Sequence, residues 1–67
     1  MTLQELKDAK PVKIKVSEAA SIMGVTPLFL RYGLQQGRFP FGTAVEMGEW
    51  AYYVNTERFI RWMEGQI

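Results

Sequence analysis

The sequence predicts a small α+β domain: two short helices joined by a tight turn, then a β-hairpin and a closing helix. Three observations predict it. Helix-start and helix-stop residues bracket two short segments, with Ser17-Glu18 opening the first, Gly24 closing it and Thr26-Pro27 opening the second. Residues 41–54 carry alternating apolar positions on both sides of Gly48-Glu49, the mark of a hairpin. After Asn55, the residues Phe59, Trp62 and Met63 recur at helical spacing.

Sixty-seven residues make one domain, and a chain this short buries only about 60% of the surface its unfolded form exposes. With no cysteine and no histidine, neither a disulfide nor a zinc staple is expected. Stability must come from an apolar core, and a 48% apolar share with two Trp, three Tyr and four Phe can supply one. No apolar run approaches the ~20 residues of a membrane span. The opening Met1-Thr2-Leu3-Gln4-Glu5-Leu6-Lys7-Asp8 is polar and mixed in charge, unlike a signal peptide. A cytoplasmic protein without a membrane partner is therefore expected.

The formal net charge is only +1, low for a nucleic-acid binder, but the charges are unevenly spread. Lys7, Lys10, Lys13, Lys15, Arg31 and Arg38 outweigh Glu5, Asp8 and Glu18, giving +3 up to residue 38. Arg58 and Arg61 are outweighed by Glu46, Glu49, Glu57 and Glu64, giving −2 beyond it. A basic front and an acidic back follow.

The elements are justified in chain order. Residues 1–11 form an N-terminal extension, with a short helix over 1–10 that uses Leu3 and Leu6 and is ended by Pro11. The domain proper spans 12–67. Val12-Lys13-Ile14-Lys15-Val16 alternates apolar and basic, the period of a short N-terminal strand. Ser17 caps a helix over 17–23, with Ala19, Ile22 and Met23 turned inward and Gly24 stopping it. Thr26 caps a second helix over 27–36, Pro27 stands at its first position, and Leu30 and Leu34 share its inner side. In the hairpin, Val45 and Met47 precede the turn, and Trp50, Tyr52 and Val54 alternate beyond it. Asn55 caps a last helix over 56–64. Trp50, Tyr52, Phe59, Trp62 and Met63 read as core, whereas Ile60 lies off the stripe and marks a partner surface.

The unit with functional content is Glu18-Ala19-Ala20-Ser21-Ile22-Met23-Gly24-Val25-Thr26. Two helices that cross steeply need a small residue where they touch, here Ala20, and a residue free to turn left-handed, here Gly24. Val25 and Leu30 then seat the second helix. The same pattern also suits an ordinary helical hairpin in a small core.

Residues 14–63 resemble the excisionase family of phages and mobile elements, distant relatives of the mercury-resistance-regulator DNA-binding domains. The resemblance rests on Val16-Ser17-Glu18-Ala19-Ala20, Met23-Gly24-Val25-Thr26-Pro27, Leu30-Arg31-Tyr32 and Gln36-Gly37-Arg38-Phe39-Pro40. It continues in Gly48-Glu49-Trp50, Tyr52-Tyr53-Val54-Asn55 and Arg58-Phe59-Ile60-Arg61-Trp62-Met63. It implies a small winged helix-turn-helix: a recognition helix in the major groove, a hairpin wing beside it and a terminal helix over the core. The function implied is non-enzymatic binding and bending of double-stranded DNA near an attachment site, assisting an integrase or other recombinase. With little room for a separate dimerisation domain, a monomer in solution that self-associates on DNA is expected. A small phage transcriptional regulator and a terminase-small-subunit-like binder are alternatives on the same fold. A winged-helix protein-interaction module is the alternative of another class.

If the second helix is the reading helix, Thr26, Pro27, Leu28, Arg31, Tyr32 and Gln35 face DNA, with Lys15 and Arg38 as flanking cations. Arg31 can grip guanine O6/N7 or a phosphate, and Gln35 can pair with adenine. Leu28 suits a thymine methyl, and Tyr32 can donate to a phosphate. Thr26 and the amides at the helix start can hold a phosphate. A solvated Arg31 and Gln35, and core packing for Tyr32 and Leu28, are the competing readings. The wing departs from the family pattern, offering Glu46 and Glu49 and no Lys or Arg, so no wing contact is carried over. No histidine, cysteine or phosphate-cradling glycine loop is present and the carboxylates are scattered, so neither an enzyme nor a cofactor is expected.

Overall fold

The computed structural model describes residues 2–67; Met1, included in the expected first helix, lies outside them. The described residues form four helices and a three-stranded antiparallel sheet in the order α1 (Leu3–Ala9), β1 (Lys13–Ile14), α2 (Val16–Met23), α3 (Pro27–Gln35), β2 (Gly42–Met47), β3 (Glu49–Asn55) and α4 (Thr56–Met63). The α+β class is as expected. No helix among them is long and apolar enough to cross a membrane.

Helix α1 starts with a reciprocal cap. The Thr2 hydroxyl accepts from the Glu5 amide at 3.2 Å, and the Thr2 amide donates to Glu5 Oε1 at 3.0 Å. It ends before Pro11, at Lys10, which turns left-handed (φ 47°) while its amide bonds the Leu6 carbonyl. The residue before a proline is crowded out of the α region, so the stop falls one residue early. Leu6 is fully buried, and Lys7 Nζ meets Glu64 Oε2 at 2.6 Å. The extension is thus a layer of the core packed on α4. That ion pair is exposed enough to contribute only about 0–1 kcal/mol; the buried leucine matters more.

The expected strand over 12–16 shrinks to Lys13–Ile14, because pairing is confined to Lys13 with Asn55 and Ile14 with Val54. Ile14 is buried, whereas Val12 is exposed and Val16 already belongs to α2. Ser17 is not the cap of α2. Lys15 holds that position in an extended conformation, and its amide is satisfied by Glu18 Oε1 at 3.2 Å. The carboxylate at the third helical position thus satisfies the amide of the cap residue itself, not a first-turn amide as a capping hydroxyl would.

The α2–α3 turn follows expectation closely. Ala19 and Ala20 are fully buried, and Gly24 closes α2 at φ 78° with its amide turned to Ser21 and Ala20 carbonyls. Thr26 Oγ1 accepts from the Phe29 amide at 3.2 Å, Pro27 opens α3, and Leu30 and Leu34 are buried. At the far end α3 stops at Gln35. The Arg38 amide returns to the Gly33 carbonyl at 2.9 Å, across Gly37 at φ 68°.

The sheet order is β1-β3-β2, with β3 central. The hairpin runs from Gly42 opposite Val54 to Met47 opposite Glu49, turning at Gly48. Since directly opposed residues share a face, Val54, Tyr52 and Ala44 lie on the inner side and Thr43, Val45, Ala51 and Tyr53 on the outer. The core joins Leu6, Ile14, Ala19, Ala20, Leu30, Leu34, Phe41, Val54 and Phe59. Its aromatic centre is Phe41, 5.0 Å from Phe59, 5.1 Å from Trp62 and 5.2 Å from Phe39 between ring centroids.

Four core assignments change. Phe59 is buried and Tyr52, Trp62 and Met63 pack against the core as expected, but Trp50 is 42% exposed. Its inner-face position lies near the tip, beyond Tyr52, where residues 45–51 are exposed on both faces of the hairpin. Ile60 is half-buried against the core and lines the groove between α1 and α4. Phe39 and Phe41, unassigned in the sequence, enter the core from the α3–β2 loop.

Candidate nucleic-acid interface

Helix α3 presents two unlike sides. Leu30 and Leu34 point into the core, and Gly33 faces the Phe39 ring so closely that a methyl group there would overlap it. On the other side Leu28 is 55%, Phe29 56% and Tyr32 54% exposed. These three stand at i, i+1 and i+4, so they make one ridge along the first two turns. Arg31 is exposed beside it. The helix contains no carboxylate.

The structure sorts the expected DNA-facing residues. Thr26, Pro27, Leu28, Arg31 and Tyr32 are all exposed at the start and middle of α3. The exposure of Leu28 and Tyr32 removes the core-packing alternative for both. Phe29, which the sequence reading left out, belongs with them; its ring touches the edge of the aromatic cluster through Phe39, 6.3 Å away between centroids. Lys15 and Arg38 are exposed in the segments before α2 and after α3.

Two expected contacts are taken up internally. Gln35 is half-buried, and its Nε2 donates to the Tyr52 hydroxyl at 2.6 Å. This bond fastens the inner face of the hairpin to the last turn of α3 and removes the Gln35 amide from the free surface. At the helix start, Pro27 has no amide hydrogen, the Phe29 amide donates to Thr26 Oγ1, and the Leu30 amide donates to the Thr26 carbonyl at 3.3 Å. Of the first four positions only Leu28 keeps a free amide, so a phosphate there would meet one backbone donor rather than a cluster.

The hairpin contrasts with this. Val45, Met47 and Tyr53 on its outer face are exposed, Met47 to 74%. Glu46 lies opposite Trp50 and Glu49 opposite Met47, both carboxylates exposed near the tip with no ion-pair partner among the described residues. A further concave surface is a groove between α1 and α4. Its charges largely satisfy one another, Lys7 with Glu64 and Glu57 with Arg61 at 2.8 Å.

Comparison with known proteins returns no family model, curated protein or solved structure significantly similar to the chain.

Proposed function

We propose that this chain is a non-catalytic double-stranded DNA-binding protein of the winged helix-turn-helix type, with α3 as its reading helix. The observation that carries the reading is the outward face of α3: an acid-free helix, rooted by Leu30 and Leu34 across a Gly24 turn, that holds Arg31 and Tyr32 free at the surface. An α-helix of this size fits the major groove, and a free arginine is its commonest base reader. Lys15 and Arg38 are the proposed phosphate contacts. The resemblance of residues 14–63 to excisionases supports a more specific role, in which bound and bent attachment-site DNA assists a recombinase.

A titration against random duplex DNA at increasing salt tests the class. Affinity should fall linearly on a log-log plot, by about 0.9 per phosphate neutralised. Absence of binding at low salt would exclude the reading. The excisionase role is tested by adding the protein to an integrase-driven excision assay, where it should promote excision over integration.

The exposed apolar outer face of the hairpin, which carries Glu49 with Glu46 on the opposite face of the same tip, favours a second reading for that element alone. Carboxylates beside the phosphate backbone are repelled, whereas an apolar and acidic surface suits a protein contact. The hairpin is accordingly proposed to face a protein while α3 faces DNA.

A further inference from the structure

We propose that the base reading by α3 is chiefly apolar: Leu28, Phe29 and Tyr32 recognise thymine C5-methyl groups, and Arg31 supplies the one strong hydrogen-bonding contact, to guanine. This rests on the reading of α3 as a DNA-facing helix. Two polar side chains that could otherwise read bases are partly engaged within the fold. Gln35 Nε2 is held by the Tyr52 hydroxyl at 2.6 Å, and Thr26 Oγ1 caps the Phe29 amide at 3.2 Å. That leaves Arg31 as the only charged group on the helix, and the Tyr32 hydroxyl as the other polar tip.

The surface around Arg31 is apolar to a degree unusual for a solvated helix. Leu28, Phe29 and Tyr32 are each more than half exposed, and they are consecutive on one ridge. In the major groove, thymine alone among the four bases carries an apolar group, the C5-methyl. An apolar ridge can therefore distinguish thymine from the other bases, and a hydrogen-bonding helix with the same shape would not need it. Charge argues for this occupant over a protein. The ridge has no carboxylate, its only charge is Arg31, and it lies at the positive end of the helix dipole. A polyanion with methyl groups in its groove matches both features.

The test uses the whole chain and a duplex selected from a random pool. The selected site should carry thymines next to a guanine. Each thymine is then replaced by deoxyuridine, which keeps every hydrogen-bonding group and removes only the methyl. Affinity should fall about fourfold for each contacted methyl, as expected for one buried carbon. In L28A or F29A the affected positions should lose this sensitivity, thymine and uracil duplexes binding alike, while circular dichroism stays native. Steeply salt-dependent DNA binding that is indifferent to uracil would overturn the methyl reading and leave the DNA-binding proposal standing. No binding to any duplex, random or selected, would overturn both.

Discussion

The outward side of α3 and the tip of the hairpin are both exposed and both rich in apolar side chains, yet their charges are opposed. Helix α3 carries Arg31 and no acid, while the tip carries Glu46 and Glu49 and no base. Apolar exposure alone therefore does not identify a nucleic-acid surface in this molecule. The sign of the neighbouring charge separates the two, because a phosphate backbone penalises each carboxylate brought near it and rewards each cation, and on that ground α3 is the proposed DNA surface. The two regions are also physically tied, through Gln35 and Tyr52, so what docks on one is oriented relative to the other.

The largest expected effect separates the two sides of α3 itself. Leu30→Ala should cost about 2–5 kcal/mol of stability, because it removes a fully buried side chain. Leu28→Ala, two residues earlier and outward, should stay within about 0.5 kcal/mol. Urea denaturation of both variants reads the difference; equal losses would mean that the ridge is packed rather than free.

Next in size is Arg31→Ala, which should weaken DNA binding by about 1–3 kcal/mol with a native circular dichroism spectrum. Unchanged affinity would remove Arg31 from the interface. Gly24→Ala should cost about 1–2 kcal/mol in a denaturant titration, since φ 78° is left-handed and no neighbour crowds the site. Backbone strain is then the whole effect, and Gly24→Asn should recover part of it.

Glu46→Lys with Glu49→Lys sharpens the contrast at the hairpin. If the tip lies beside the backbone, affinity rises at low salt and the log-log slope steepens by about 0.9 for each new phosphate contact. Lysines at Gln4 and Gln66, both exposed, control for general charge better than lysines at Glu57 or Glu64. Those two carboxylates are paired with Arg61 and Lys7. Equal gains from both pairs of substitutions are the expected outcome, since the tip is proposed to face a protein; a larger, more salt-sensitive gain at the tip would place it beside DNA instead. The smallest effect belongs to Tyr52→Phe. Losing the Gln35 bond should cost about 0.5–1.5 kcal/mol, and its distinctive readout is shifted amide resonances in both α3 and β3.

Local chemistry made much of this fold legible in the sequence. Thr26 and Asn55 are helix caps, Gly24 turns left-handed, Ala20 is the buried small residue, and the hairpin turns at Gly48, each because a few neighbouring atoms decide the matter. Cases decided by distant partners were not legible. Strand β1 is as short as its pairing with β3 allows, and Trp50 is exposed because nothing covers the inner face of the hairpin at its tip. Phe41 becomes the aromatic centre only once α4 brings Phe59 and Trp62 to it. At the candidate site, helical phase indicated Leu28, Arg31 and Tyr32. It missed Phe29, whose phase falls toward the aromatic cluster, and it could not foresee that Tyr52 would take Gln35.

The most direct test of the central claim is an NMR titration of the isotope-labelled chain with duplex DNA at low salt. The amides from Thr26 to Tyr32 should shift most and return toward their free positions as salt is added. Shifts centred instead on the Glu46–Trp50 tip or on the α1–α4 groove, with α3 unmoved, would contradict the assignment of α3 as the DNA-facing helix.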